Sequence, residues 1–483
     1  MRSEPFPAAM CAGSGSSTIV LVIERAYRLL SLLLVVAALA AVPSAAAAVP
    51  PSVPPIPSDL TSTDVSIHTR DGKTLSGMVV APRAATHPLP GLVLVHGSGN
   101  SRRKSVTPEA IAFARQGIAV LAYDKRPLDQ PVYSLLADDV IAAAATLRDQ
   151  PGVKRDAVGL WGISEGGWVE PIAASRSPEI AFVVLASAPG LTPLRVQNWN
   201  MLNKLTGAGV TGALAGTLSD RFYRLADDAG LFAEADHDPQ PPLAAVTQPV
   251  LAVYGTADTQ VPAAESAAVL TRTIRTPLTV RFLPGAGHTL RVLDGDGIYT
   301  DELFPAYAEI VGTWVRSTAA GRIPPPHTDP LPAQRATSDA LTPSAWWESW
   351  PAQIAALAVL LLGFLSYPIV ALTRRIRGRS VPTARPARIL AATGALAVLG
   401  FVAYFVTVAD SADWKGISPG PMLGGRPVLW LAVQALALIT VIAAAMTAHA
   451  SRRTRGDRPR QVVLLVAGAL FLPWALYWGL LLP

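Results

Sequence analysis

The stretch AVGLWGISEGGWVEPIAA, residues 157–174, changes character at its middle. Ala157 to Trp161 form a short, continuous apolar run, the pattern of a strand buried on both faces. From Glu165 to Ala174 the small and apolar residues read as a helix. Between the two lies Gly162-Ile163-Ser164-Glu165-Gly166. A serine on so sharp a strand-to-helix turn is forced outward at the carboxyl edge of a sheet. Glycines flank it because the bent backbone leaves no room for larger side chains. The helix amino terminus beneath it favours developing negative charge. Ser164 is therefore the expected nucleophile. The spacing alone is a weak signal, since Gly416-Ile417-Ser418-Pro419-Gly420 repeats it. That copy lies between two apolar segments with no strand before it. Its Pro419 also lacks the N–H that the residue after the serine must donate to an oxyanion. Ser418 is a decoy.

Outward from this turn, GLVLV (91–95), IAVLAY (118–123), AFVVLAS (181–187) and VLAVYG (250–255) are similar apolar runs. Helix-like stretches such as 134–149 and 165–176 alternate with them. Short apolar strands separated by helices predict a mostly parallel sheet covered on both faces, an α/β domain over residues 62–318. DVSIHT and TLSGMVVAP, around Asp71-Gly72, predict an antiparallel hairpin at one edge. Residues 190–245 read as helical, NWNMLNKL and GTLSDRFYRLADDAG among them, and are expected to form a cap over the site. Its Trp199, Met201, Phe222 and Tyr223 either line an apolar pocket or pack the cap's own core.

Two further landmarks complete the chemistry. His96-Gly97-Ser98-Gly99 ends the strand-like GLVLV, where glycines let the backbone approach a substrate carbonyl. The N–H of Ser98, with that of Glu165, is the expected pair of oxyanion donors. His96 is expected to hold the loop by a hydrogen bond, not to act as a base. Asp258 follows the strand-like VLAVYG, and His288 follows LTVRFL in Gly285-Ala286-Gly287-His288. Both fall in loops just past a strand, on the edge where Ser164 emerges, in the chain order Ser, Asp, His. Of the other histidines, His68 and His87 lie too early, His237 falls in the cap, His327 in a linker and His449 beside an apolar segment. Asp258 is the expected acid and His288 the expected base, with Asp294 or Asp296 as weaker substitutes for Asp258. The chemistry expected is acyl transfer from an ester, thioester or amide carbonyl through an acyl-serine.

HGSG at 96–99, YDKR at 123–126, LWGISEGGWVEPIAA at 160–174, YGTADTQVP at 254–262 and PGAGH at 284–288 together carry a family likeness. Residues 62–318 resemble the α/β-hydrolase superfamily, in particular its bacterial esterase and serine-aminopeptidase-like (dipeptidyl-aminopeptidase-like) branch. The likeness implies the α/β-hydrolase fold and a serine hydrolase. The chain departs at Pro127, where relatives continue with glycines after the arginine. Lys125 and Arg126 either bind a substrate carboxylate or form a structural salt bridge.

Composition places this domain beside a membrane. Hydrophobic residues make up 51% of the 483, and the mean hydropathy is +0.36, too apolar for a wholly soluble chain. Cys11 is the only cysteine, so no intrachain disulfide and no cysteine-based metal site can form. No cofactor and no metal are expected. The start of the chain, with Arg25 and Arg28 before LLSLLLVVAALAAV (29–42) and PSAAAA, reads as a signal peptide or signal anchor over 1–48. Proline-rich linkers are expected at 49–61 and 319–345, extended and poorly suited to packing. Four apolar segments follow, 351–372, 389–409, 427–448 and 462–482, each long enough to span a bilayer. Trp346, Trp347 and Trp350 before the first, and Trp474, Tyr477 and Trp478 in the last, suit an interfacial belt.

Arginine sets the orientation. Arg374, Arg375, Arg377, Arg379, Arg385 and Arg388 follow the first span, and Arg452, Arg453, Arg455, Arg458 and Arg460 the third. These loops are expected in the cytoplasm, with the hydrolase domain outside the inner membrane. The excess of 40 Lys+Arg over 34 Asp+Glu thus reflects topology, and nucleic acid is not an expected partner. The expected partners are a small acyl ester or peptide-like substrate and membrane lipid. Within the spans the scarcity of charge argues for an anchor instead of an ion path. The leading functional reading is a membrane-tethered carboxylesterase. A serine peptidase removing amino-terminal residues is the alternative within enzymes, and a non-catalytic membrane scaffold on a retired hydrolase fold the alternative from another class.

Overall fold

The computed structural model describes residues 55–294, 299–334, 336–379, 384–411, 416–451 and 458–481. The signal segment expected at 1–48 and the substitute acid Asp296 lie outside these residues. The strands are β1 (Leu60–His68), β2 (Thr74–Pro82), β3 (Leu89–Val95), β4 (Ala119–Tyr123), β5 (Val153–Ile163), β6 (Val183–Ala186), β7 (Val250–Gly255) and β8 (Leu278–Leu283). Among the helices, α1 is Thr107–Arg115, α2 Tyr133–Arg148, α3 Gly166–Arg176, α4 Pro193–Gly207 and α5 Ala213–Asp228. Then come α6 (Gln240–Ala244), α7 (Ala263–Thr273), α8 (Tyr307–Ala319), α9 (Trp350–Ile376), α10 (Arg385–Asp410), α11 (Val428–Ser451) and α12 (Arg458–Tyr477).

The strands join in one sheet in the order β1-β2-β4-β3-β5-β6-β7-β8, with the two residues His327–Thr328 added outside β8. β1 pairs antiparallel with β2, and β2 antiparallel with β4. Every pairing from β4 to β8 is parallel. β4, β6 and β7 are buried along their whole length, which is why their sequences are apolar at every position instead of alternating. One core lies under α2, α3 and α7, and the other under α1 and α8. The sheet is therefore covered on both faces, as the alternation of strands and helices predicts. Because β3 to β8 run the same way, the loops after β3, β4, β5, β7 and β8 all emerge at one edge.

Four helices, Trp350–Ile376, Arg385–Asp410, Val428–Ser451 and Pro459–Tyr477, are long and apolar enough to cross a membrane. The fourth ends earlier than its sequence suggests, because Gly479 at φ 74° turns the chain after Tyr477. The aromatic belt expected on that helix needs correction. Trp474 and Trp478 are buried in the bundle, their rings 5.1 and 4.8 Å from that of Phe401, and the Trp478 indole N–H donates to Gln353 at 3.0 Å. Trp346 and Trp347, by contrast, are exposed. The segment at 319–345 is likewise no loose tether. Arg195 holds the Ser338 hydroxyl and carbonyl, both at 2.7 Å, and Arg281 pairs with Asp329 at 3.0 Å. Proline sets its extended path, and these arginine hydrogen bonds bind that path to the domain.

Candidate active site

Ser164 follows β5 directly and sits at φ 56°, a left-handed backbone that costs a non-glycine residue energy and persists only where its surroundings enforce it. The two flanking glycines explain the enforcement. A Cβ at Gly166 would lie 2.8 Å from the Val95 carbonyl oxygen, so α3 starts hard against the end of β3. A Cβ at Gly162 would lie 2.5 Å from the carboxyl carbon of Glu170, one turn into α3. The Ser164 N–H donates to Ala186 O at 3.1 Å, which pins the turn to β6. Its hydroxyl faces a cavity of about 600 Å³ that is also lined by Ser98, Lys125, Trp168, Phe222 and Tyr223.

Asp258 and His288 meet in the loops after β7 and β8, with His288 Nδ1 2.9 Å from Asp258 Oδ2. The other carboxylate oxygen accepts the N–H groups of Gln260 at 2.8 Å and Val261 at 2.9 Å. Both oxygens are thus committed, and the aspartate cannot rotate without breaking two bonds. The His288 backbone N–H donates to the Tyr299 hydroxyl at 2.7 Å. Burial, then the nearby Asp258 carboxylate, pushes that phenol up to about 12, so it stays neutral and able to hydrogen-bond. Tyr299 was not singled out in the sequence, and only its position shortly after the histidine could have flagged it. Among the described residues the Ser164 hydroxyl and His288 Nε2 engage no protein partner, so Asp258 and His288 are joined by a hydrogen bond while the serine and the imidazole are not.

The glycine loop after β3 closes on the same point. A Cβ at Gly97 would lie 3.5 Å from Cβ of Ser164. Among the described residues neither the Ser98 nor the Glu165 N–H donates to a protein acceptor. Lys125, after β4, binds the Glu165 carboxylate and also donates to Gly97 O at 3.1 Å, tying the two loops together. Arg126 is buried between Asp139 and Asp71. Both cations of YDKR are therefore held in ion pairs inside the protein. His96 Nε2–H donates to Tyr123 O at 2.6 Å, and burial pushes its imidazole down to about 4. It braces β3 against β4. In the cap, Phe222 and Tyr223 line the cavity, whereas Met201 packs towards the membrane helices and buried Trp199 donates to Ala336 O at 3.0 Å. Ser418 is exposed in its loop, its N–H 3.0 Å from the Ser411 hydroxyl.

A strained serine between β5 and α3, with the loop after β3 packed against it and the loops after β7 and β8 leaving the same edge of the sheet, follows from the sheet order. A family model, the prolyl oligopeptidase family, matches residues 136–302. The fold is that of the α/β hydrolases. A thiohydrolase of Aspergillus aculeatus is 34% identical over 133 residues, which are 26% of this chain and 41% of that protein. The chain thus spans about two fifths of that curated relative's length. A dienelactone hydrolase from Anabaena variabilis is 19% identical, covering 53% of this chain and 98% of that one, with a TM-score of 0.35. An acetyl xylan esterase from Paenibacillus is 19% identical, covering 54% and 84%, with a TM-score of 0.38.

The hydrolase domain also buries a carboxyl that its chemistry does not use. Glu170 is fully buried beneath the serine turn and neither carboxyl oxygen has a well-formed hydrogen bond. Burial pushes its carboxyl well above the usual range, and the Gly162 N–H offsets only part of this. The folded state therefore keeps Glu170 protonated while the unfolded state ionises above about pH 4.5. Stability contributed by the neutral carboxyl is complete below that pH and falls as pH rises, by about 1.4 kcal/mol per unit, until the folded group ionises. Glu170→Gln removes the linkage. Thermal unfolding of the full-length variant in detergent is expected to match wild type near pH 5 and to exceed it at pH 8. Parallel profiles would contradict a neutral Glu170.

Proposed function

We propose that the chain is a membrane-anchored serine hydrolase whose domain works outside the cytoplasmic membrane, cleaving carboxylic esters with Ser164, His288 and Asp258. The observation that carries this reading is the strained Ser164 turn, set at the same sheet edge as a buried His288 bonded through Nδ1 to Asp258. In the reaction, His288 Nε2 takes the hydroxyl proton as Ser164 Oγ attacks the carbonyl carbon. The Ser98 and Glu165 N–H groups hold the oxyanion, and the departing alcohol leaves with the proton from His288. Water, deprotonated by the same imidazole, then releases the acid and restores Ser164. Asp258 keeps the Nδ1 proton in place so that Nε2 is free to accept. The outside position is supported by the sequence, in which arginines cluster after the first and third apolar spans.

The prolyl oligopeptidase match favours the peptidase alternative. An aminopeptidase must hold a substrate ammonium, which calls for an unpaired acid in the cavity. Glu165 is already paired with Lys125, and Asp129, the other carboxylate on the lining, is exposed to solvent. Aromatic and aliphatic side chains form much of the remaining wall, which suits an acyl chain. The full-length protein in detergent, assayed on p-nitrophenyl butyrate, p-nitrophenyl palmitate and aminoacyl p-nitroanilides, is expected to turn over the esters. Turnover of the anilides alone would assign the peptidase instead.

A further inference from the structure

Lys125 grips the glycine loop after β3 at two points. Its backbone N–H donates to Ser101 O at 3.1 Å, and its ammonium donates to Gly97 O, also at 3.1 Å. Between those points lies Ser98, with Gly97 before it and Gly99, at φ 84°, after it. Asn100 is tied to the same neighbour, its side-chain oxygen accepting the Leu128 N–H at 3.1 Å. A serine between two glycines has little preference of its own for one peptide orientation. The contacts from the loop after β4 decide it.

The bond to Gly97 O matters because of the peptide unit it belongs to. The Gly97 carbonyl and the Ser98 N–H are the two ends of one planar trans peptide, and they point in opposite directions. An ammonium that fixes the carbonyl on one side therefore fixes the N–H on the other. The same Nζ binds the carboxylate of Glu165, the residue after the nucleophile. The Ser164–Glu165 peptide is oriented separately, by the Gly167 N–H donating to Ser164 O at 2.8 Å. One cation thus joins the two residues whose N–H groups have no protein acceptor among the described residues. Stability is a poor reason for such a pair. The two side chains are only 8% and 6% exposed, and the desolvation of two charges offsets much of their attraction. Fixed geometry between two loops is what the pair supplies.

We infer that Lys125 is a positioning residue of the oxyanion site. By holding Gly97 O and the Glu165 carboxylate together, it keeps the Ser98 N–H turned towards the carbonyl oxygen of the substrate. It touches no reacting atom. The inference rests on the serine-hydrolase reading above and adds to it the group that assembles the oxyanion donors. Without the ammonium, the Gly97–Ser98 peptide is free to turn over and present a carbonyl where the donor stood.

The test measures kcat and KM on p-nitrophenyl butyrate and on its thionoester analogue, with full-length protein in detergent. Sulfur accepts hydrogen bonds weakly, so a working oxyanion site favours the oxo ester and a broken one favours it less. Lys125→Met is expected to lower kcat on the oxo ester about 10²-fold, the effect of losing one oxyanion donor, with KM little changed. Its oxo-to-thiono ratio of kcat/KM is expected to shrink about tenfold. Lys125→Arg, which keeps donors for both acceptors, is expected to recover most of the rate and of the ratio. Lys125→Met combined with Glu165→Leu leaves no unpaired buried charge, so it serves if the single variant fails to fold. It is expected to show the same loss and the same shrunken ratio. A wild-type ratio in either methionine variant, folded by its thermal transition, overturns the inference whatever the rate, since a lysine that only stabilises the fold does not alter the choice between oxygen and sulfur. Failure of the wild type to take a fluorophosphonate on Ser164 is a different result, which removes the serine-hydrolase reading itself.

Discussion

Ser164→Ala is expected to reduce ester turnover by about 10⁵-fold or more while leaving the protein folded. The loss is large because Ser164 is the group that forms the acyl intermediate, and water attack assisted by the oxyanion donors alone is slow. Folding is spared for a separate reason. The serine hydroxyl bonds to no protein group among the described residues, and alanine adopts the φ of 56° at much the same cost as serine. Kinetics on p-nitrophenyl butyrate beside thermal unfolding of the same preparation check both halves. Ser418→Ala belongs in the same experiment, since it has the same local spacing without the strand, the strain or the cavity. It is expected to behave as wild type. Full activity in Ser164→Ala would end the account.

The second large effect is expected from Asp258→Asn, about 10⁴-fold in kcat. The reason lies in how the carboxylate is bound. One oxygen accepts the N–H groups of Gln260 and Val261, so an asparagine must place its own carbonyl oxygen there. Its NH₂ then faces His288 Nδ1, where the carboxylate oxygen had been. Two donors cannot share that contact, so the imidazole shifts its proton to Nε2. In that tautomer it cannot take a proton from Ser164. The side chain is near-isosteric and keeps its backbone bonds, so the variant is expected to fold with its KM little changed. A loss below about tenfold would mean that Asp258 does not set the tautomer.

Much of this was legible in the sequence because the decisive signals are local. The strand, turn and helix of 157–174 lie within one short stretch, and strain at Ser164 follows from geometry that any such junction must adopt. The pairing of Asp258 with His288 follows from a related argument, since a polar residue just past a buried strand is carried to the carboxyl edge by the sheet itself. What was not legible depends on partners distant along the chain. Lys125 and Arg126 left two readings open, and only Glu165, Asp71 and Asp139 closing around them decide for ion pairs. Glu170 occurs in an apolar helix, and nothing in the local pattern says that its carboxyl turns inward without a partner. Trp474 and Trp478 look like interface anchors by position, but helix packing against Phe401 and Gln353 outweighs that preference. The docking of the cap on the bundle is of the same kind, because it brings Phe222 to Phe405 across most of two domains.

The most direct test of the central claim is to treat the full-length protein with a fluorophosphonate and map the adduct by peptide mass spectrometry. One phosphonate on Ser164, absent after His288→Ala, is the expected result. A protein that stays unmodified, or one labelled equally well without the histidine, would contradict a nucleophile activated by the imidazole at residue 288.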